Sequence, residues 1–119
     1  MASESVTKEY TSRENFWAQS GHGGDEFTYR LKKMMILEAV NKSGKLLDIG
    51  SANGYLVNCL TNWMKHSGLN LDFFGLEISR ELTELSKKNF PHLEDHFFNG
   101  NVLDWKPQEK YDFIFTMIL

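Results

Sequence analysis

Cysteine is almost missing from this sequence: Cys59 is the only one among 119 residues. A disulfide framework within the chain is therefore excluded, which fits a reducing compartment. Long apolar runs are missing too. None reaches the roughly 20 residues that a membrane-spanning helix needs. The opening Met1-Ala2-Ser3-Glu4 lacks the basic and then apolar regions of a signal peptide, so a soluble cytoplasmic protein is expected. There is no excess of positive charge: 13 Lys and Arg stand against 16 Asp and Glu, for a net charge of -3 at pH 7. That balance gives no general pull toward nucleic acid or an anionic membrane. Internal repeats and low-complexity tracts are absent as well. What is present is ordinary globular material, 41% hydrophobic and 24% charged, in a length that suits one small domain with a modest buried fraction.

Residues 1–15 are polar and without period, and read as a loose arm preceding a domain over 16–119. Phe16 and Trp17 are expected to pack against that domain. Gly21-His22-Gly23-Gly24 follows as a flexible loop, either a lid hinge or a plain connection. From Glu26 to about Val40, Phe27, Leu31, Met34, Met35 and Leu37 recur at helical spacing, with Asp25 as the N-cap. Lys45–Ile49 reads as a strand running into Gly50-Ser51-Ala52-Asn53-Gly54. A helix from Tyr55 to about His66 then buries Leu56, Leu60, Trp63 and Met64, with Cys59 as a core residue. Leu71–Leu76 is a second strand ending at Glu77. Ser79 caps a helix to about Asn89, with Glu81 and Glu84 well placed near its start, and Pro91 prevents its continuation. His96–Gly100 is a third strand, and Tyr111 to about Ile118 a fourth, strongly apolar one. The fold class is therefore α/β, a Rossmann-like three-layer sandwich around a mainly parallel sheet of about four strands with right-handed crossovers.

The chemistry sits in Leu47-Asp48-Ile49-Gly50-Ser51-Ala52-Asn53-Gly54. A glycine turn between a strand and a helix lets a ligand approach backbone where a Cβ would clash, and the free N–H groups of the helix point at the same crevice. Glu77 ends the next strand. A carboxylate there offers two acceptor oxygens for the two hydroxyls of a ribose. Turn and acid together indicate an adenosine-containing cofactor. His92 and His96 have i, i+4 spacing, but Pro91 and the following strand argue against a helix there, and no metal site is expected. Lys32-Lys33 and Lys87-Lys88 read as solvated helix faces.

These residues resemble the class I S-adenosylmethionine-dependent methyltransferases. Leu46–Gly54 resembles their first motif, an acid followed by Gly-x-Gly-x-Gly, with Ala52 in place of the middle glycine. Phe74-Gly75-Leu76-Glu77-Ile78-Ser79 resembles the second motif. Gly100-Asn101-Val102 is similar to the Gly-Asp-Ala stretch that contacts adenine, with Asn101 replacing the aspartate. Tyr111–Thr116 resembles the fourth-strand motif. The resemblance covers roughly Met34 to the end. It implies that Asp48 and the Gly50–Gly54 turn, with Gly50, Ser51, Ala52 and Gly54, face the methionine part of S-adenosyl-L-methionine. Glu77 would hold the ribose and Ile78 would pack on adenine. Asn101, through its amide oxygen, and the Val102 backbone would read the adenine edge, while Thr116 would lie near the methionine amine. The implied reaction is direct methyl transfer that leaves S-adenosyl-L-homocysteine, catalysed mostly by positioning and exclusion of water. No catalytic base is identified.

In that family the sheet has seven strands and the fourth is central, whereas this chain ends on the fourth. The expectation is a C-terminally truncated fold whose apolar edge pairs through Tyr111–Leu119 with a second copy or a complementing chain. A small-molecule methyl acceptor is expected, because nothing basic marks a nucleic-acid groove. Two other functions share the pattern. One is a nicotinamide- or flavin-dependent oxidoreductase, against which stand Asp48 before the first glycine and a Gly50-x-x-x-Gly54 spacing unlike G-x-G-x-x-G. The other is a non-catalytic remnant or assembly module.

Overall fold

The computed structural model describes residues 34–36 and 38–116. The polar arm, Phe16, Trp17, the Gly21–Gly24 loop, Asp25, Phe27, Leu31, Lys32-Lys33, Leu37 and the last two residues of the expected fourth strand, Met117 and Ile118, lie outside the described residues. Four strands are present: β1 (Gly44–Ile49), β2 (Leu71–Glu77), β3 (Phe97–Asn99) and β4 (Phe113–Thr116). Between them lie α1 (Tyr55–Trp63), extended by a 3-10 turn over Met64–His66, and α2 (Arg80–Asn89). The strands form one parallel sheet in the order β3-β2-β1-β4. Both sheet faces are apolar, as covered parallel strands require.

Alternation along β1 and β2 builds two clusters. Leu46 and Phe73 turn to one face, where Leu56, Val57, Leu60 and Met64 of the α1 region bury against them together with Phe97. Leu47, Phe74 and Leu76 turn to the other face, under Phe98, Trp105 and Tyr111. Residues 34–36 and 38–39 are helical ahead of β1. Ile36 and Val40, four apart on one helix face, are the buried pair, while Met34 and Met35 are exposed. The apolar stripe is thus rotated from the one expected, which included both methionines. Trp63 is only partly covered.

Ser79 caps α2 as expected: its Oγ accepts the Leu82 N–H at 3.2 Å. Pro91 ends α2 but then opens a 3-10 stretch over Pro91–His96, because its missing N–H and fixed φ suit a first helical position. Leu93 anchors that stretch in the core, so β3 starts one residue later than expected, at Phe97. β4 is likewise shorter at its start. Asp112 is held off the ladder's regular pattern: its N–H donates to the Lys45 carbonyl at 2.8 Å, and its Oδ2 accepts the Lys45 N–H at 2.9 Å. Tyr111 meanwhile packs on Phe74, ring centroids 5.5 Å apart.

Candidate functional site

The topology brings the strand ends into one crevice. β1 runs into the Gly50–Gly54 turn, β2 ends at Glu77, β3 leads through Asn99 to Asn101 and Val102, and β4 ends at Thr116. In a parallel sheet all of these are carboxyl ends, and ligands bind outside them. Register places Ile49 opposite both Leu76 and Thr116, and Asp48 opposite Gly75 and Phe115. Each residue singled out from the sequence therefore lies along one edge of the sheet.

The turn is shaped by two left-handed glycines, Gly50 at φ 83° and Gly54 at φ 79°. A Cβ on Gly50 would meet nothing within 4 Å, so this glycine faces open space. A Cβ on Gly54 would sit 2.8 Å from the Phe97 ring, so that glycine serves close packing of α1 on β3. Ala52 also adopts a left-handed conformation, φ 53°, at the position where the resembled family has glycine. An alanine tolerates this at a cost of about 1–2 kcal/mol. Something must hold it there, and Glu77 does.

Glu77 is 8% exposed. Its Oε1 accepts the Ala52 N–H at 2.9 Å, and its Oε2 accepts the Ser79 N–H at 2.8 Å. One carboxylate thus ties the glycine turn to the start of α2. The turn is braced further: Gly50 and Ser51 N–H groups donate to the Leu76 carbonyl at 2.8 and 3.2 Å, and Ser86 Oγ donates to the Ala52 carbonyl at 3.1 Å. Asp48, 2% exposed, lies beneath the turn. Ile78 and Val102 are both exposed apolar residues at neighbouring strand ends. Asn101 turns its Oδ1 to the Leu103 N–H at 3.0 Å, so the amide oxygen expected to face a base already serves its own turn, with one lone pair remaining.

Asn99 was not singled out from the sequence, and Asn53 was named only as part of the glycine turn. Asn99 Nδ2 donates to the carbonyls of Glu77 and Ile78 at 2.9 and 3.1 Å, fixing the β2 end against β3. Asn53 is 3% exposed and accepts the Tyr55 N–H through Oδ1 at 3.2 Å. That bond to the N–H two residues on is an Asx turn, for which Asn before Gly is the sequence signal.

Other features fall away from the crevice. His92 Nε2 meets Asn58 Oδ1, while His96 lies between Asp72 and Asp95, so the two histidines do not converge. Among the described residues no group of His, Cys, Asp and Glu could hold a metal ion. No described helix is long and apolar enough to cross a membrane. A concavity of about 520 Å³ lies at the opposite, amino-terminal end of the strands, lined by Lys45, Asp72, Phe74, His96, Phe98 and Trp105. It contains none of the glycine-turn or strand-end residues.

Comparison with known proteins bears on the fold and the family. Solved structures share the fold. A TehB-like SAM-dependent methyltransferase from Corynebacterium glutamicum superposes with a TM-score of 0.63 at 22% identity, over 96% of this chain and 55% of the other. A SAM-dependent methyltransferase from Aquifex aeolicus gives 0.55 at 16% identity, over 71% and 46%. Coclaurine N-methyltransferase, bound to N-methylheliamine and SAH, gives 0.60 at 13% identity, over 82% and 29%. The chain thus spans about half the length, or less, of these structures. A comparison with curated proteins gave no significant match. Residues 28–117, which contain the glycine turn, Glu77 and all four strands, match one family over most of the sequence, and the chain belongs to it: the protein-L-isoaspartate(D-aspartate) O-methyltransferase family.

Proposed function

We propose that this chain binds S-adenosyl-L-methionine and carries the cofactor site of a methyltransferase. The observation that carries the reading is Glu77, a buried carboxylate at the β2 end joined directly to a glycine turn whose first glycine faces open space. Each Glu77 oxygen accepts one N–H and keeps a second lone-pair direction, so ribose hydroxyls fit without breaking the brace. In this reading Asp48 and the turn of Gly50, Ser51, Ala52 and Gly54 face the amino-acid end. Ile78 and Val102 flank the base, Asn101 lies at its edge, and Thr116 sits near the amine. When bound, the cofactor supplies an electrophilic methyl on a sulfonium. The chain's own residues orient it and exclude water.

The acceptor we expect is a small molecule, since the net charge of -3 marks no nucleic-acid groove. The family match favours a second reading, in which the acceptor is the carboxyl group of an isoaspartyl residue. A carboxylate arrives ionised and needs no general base, which suits a site to which no base is assigned. We further take residues 16–119 as the cofactor-binding domain behind a polar arm, in a protein of the cytoplasm. A fluorescently tagged chain confined to a membrane or exported compartment would overturn that location.

Calorimetric titration with S-adenosyl-L-homocysteine, and with NADH in parallel, tests the cofactor. Saturable binding of the first and not the second is expected. The reverse preference would establish the oxidoreductase alternative, and no binding of either by the folded chain would leave an assembly module. Transfer of labelled methyl to an isoaspartyl peptide as a base-labile ester, rather than to small acceptors, would decide for the second reading.

A further inference from the structure

We propose that the aromatic-lined concavity on the sheet face opposite α1 binds a small organic cation with an N-methylated ammonium head. The site lies toward the amino-terminal end of the strands, away from the strand-end crevice, and does not depend on the cofactor reading.

Four rings form a closed circuit there. Phe74 and Phe98 stack with centroids 6.1 Å apart, and Phe98 and Trp105 lie 5.5 Å apart. Trp105 and Tyr111 lie 6.4 Å apart, and Tyr111 meets Phe74 edge-on at 5.5 Å. Phe74 is 5% exposed and forms the floor. The other three are half-buried and line a cavity of about 520 Å³, within the range of small-molecule sites. One wall is fixed in advance. A Cβ on Gly100 would sit 2.8 Å from the Trp105 ring, so the indole lies against backbone, and the Trp105 N–H donates to the Asn101 carbonyl at 2.7 Å. A ligand does not have to order that side chain, which lowers the cost of binding.

The faces of aromatic rings carry the negative part of the quadrupole and attract cations. This cluster already holds one: Lys45 Nζ lies 5.9 Å from the Phe74 centroid, and Glu109 pairs with it. Two more carboxylates stand at the mouth. Asp72 and Asp95 share the single imidazole of His96, each at 2.8 Å, and that ring stacks on Phe74 at 4.6 Å. Three carboxylates thus face two lysines, Lys45 and the exposed Lys106, and with the imidazole neutral the balance is negative.

That surplus and the π faces both disfavour an anion. A bare ammonium is compact and strongly hydrated, and the one present already has its place at Glu109. Methyl groups on nitrogen spread the charge over an apolar surface that suits rings better than water. A sheet face that served packing alone would need no carboxylates around its rings.

Charge is therefore what the test must isolate. The probes are choline and dimethylbutanol, its neutral isostere, in which carbon replaces the nitrogen. Each is titrated into the chain and followed through the indole N–H of Trp105 by proton–nitrogen NMR, with Trp63 on α1 as the internal reference. Saturable binding of choline, about tenfold or more tighter than the alcohol, is expected, with movement of Trp105 and not of Trp63. Trp105→Leu should abolish it, and Asp72→Asn should weaken it about threefold or more. Equal affinities for the two probes would mean that the cavity selects apolar bulk, and would overturn the proposal. So would failure of choline to saturate, or choline binding that survives unchanged in the folded variants. If Trp105→Leu does not fold, Asp72→Asn decides by itself: an unchanged affinity rules the site out.

Discussion

Glu77 has two roles that one substitution removes together. Both of its oxygens accept buried backbone N–H groups, from Ala52 and from Ser79. Glu77→Ala leaves two donors without acceptors, which should cost about 2–4 kcal/mol in urea unfolding as well as abolish S-adenosyl-L-homocysteine binding. Glu77→Gln retains one acceptor oxygen, so it should cost about half as much while still weakening the ribose contact. A Glu77→Ala chain of wild-type stability would show that the brace carries no energy. Cys59 offers a second measurement. Burial pushes its thiol up to about 11, and a hydrogen bond with Tyr55 pulls weakly the other way. A thiol whose folded value is raised stabilises the fold fully below its unfolded value. That contribution is lost as pH climbs from about 9 toward about 11. The same shift suppresses thiolate, so iodoacetamide at mildly alkaline pH should label native Cys59 roughly 100-fold more slowly than the urea-unfolded chain. Equal rates would show that the thiol is not desolvated.

The glycine turn gives a contrast between two positions on one element. Gly54→Ala meets both a positive φ and a Cβ 2.8 Å from Phe97, so strain and overpacking should together cost about 2–5 kcal/mol. Gly50→Ala meets only the positive φ, about 1–2 kcal/mol, because its Cβ enters open space. In the cofactor reading that space is where the ligand lies. Gly50→Ala should therefore be the milder variant by thermal melting and the harsher one by calorimetry; the same order in both assays would mean that Gly50 does not face the ligand. Strands, helices and this turn were legible because each depends on local chemistry: β1 and β2 are apolar runs, Ser79 is a capping side chain, and Gly50 and Gly54 punctuate a strand–helix junction. What was not legible depends on neighbours distant in sequence. The choice of Ile36 and Val40 over Met34 and Met35 is set by the sheet face they meet. The engagement of Glu77 with Ala52, 25 residues away, is a property of the folded turn and not of any sequence period.

At the scale of the whole molecule the open question is the β4 edge. Among the described residues β4 has β1 on one side only. Its outer N–H and C=O groups form the row that attracts another strand. The side chains around it are also those of an interior. Phe113 and Phe115, with Ile36 and Val40, line a groove of about 460 Å³ on one face, and Ile114 is 61% exposed on the other. Among the described residues one face of this apolar edge strand is half-covered and the other exposed, which is not a stable surface in water. The chain is therefore expected to self-associate, or to capture a complementing chain, through Tyr111–Leu119. Multi-angle light scattering over a concentration series should show the apparent mass rising above that of one 13.8 kDa chain. Ile114→Lys places a charge on that edge, the device by which natural edge strands block pairing, and should return the mass to the monomer. Wild-type chain that stays a monodisperse monomer throughout would rule the pairing out. Because Ile114 faces away from the α1 side of the sheet, the same variant should keep its affinity for S-adenosyl-L-homocysteine. Loss of binding in step with dissociation would instead mean that the crevice is completed only by what pairs with β4.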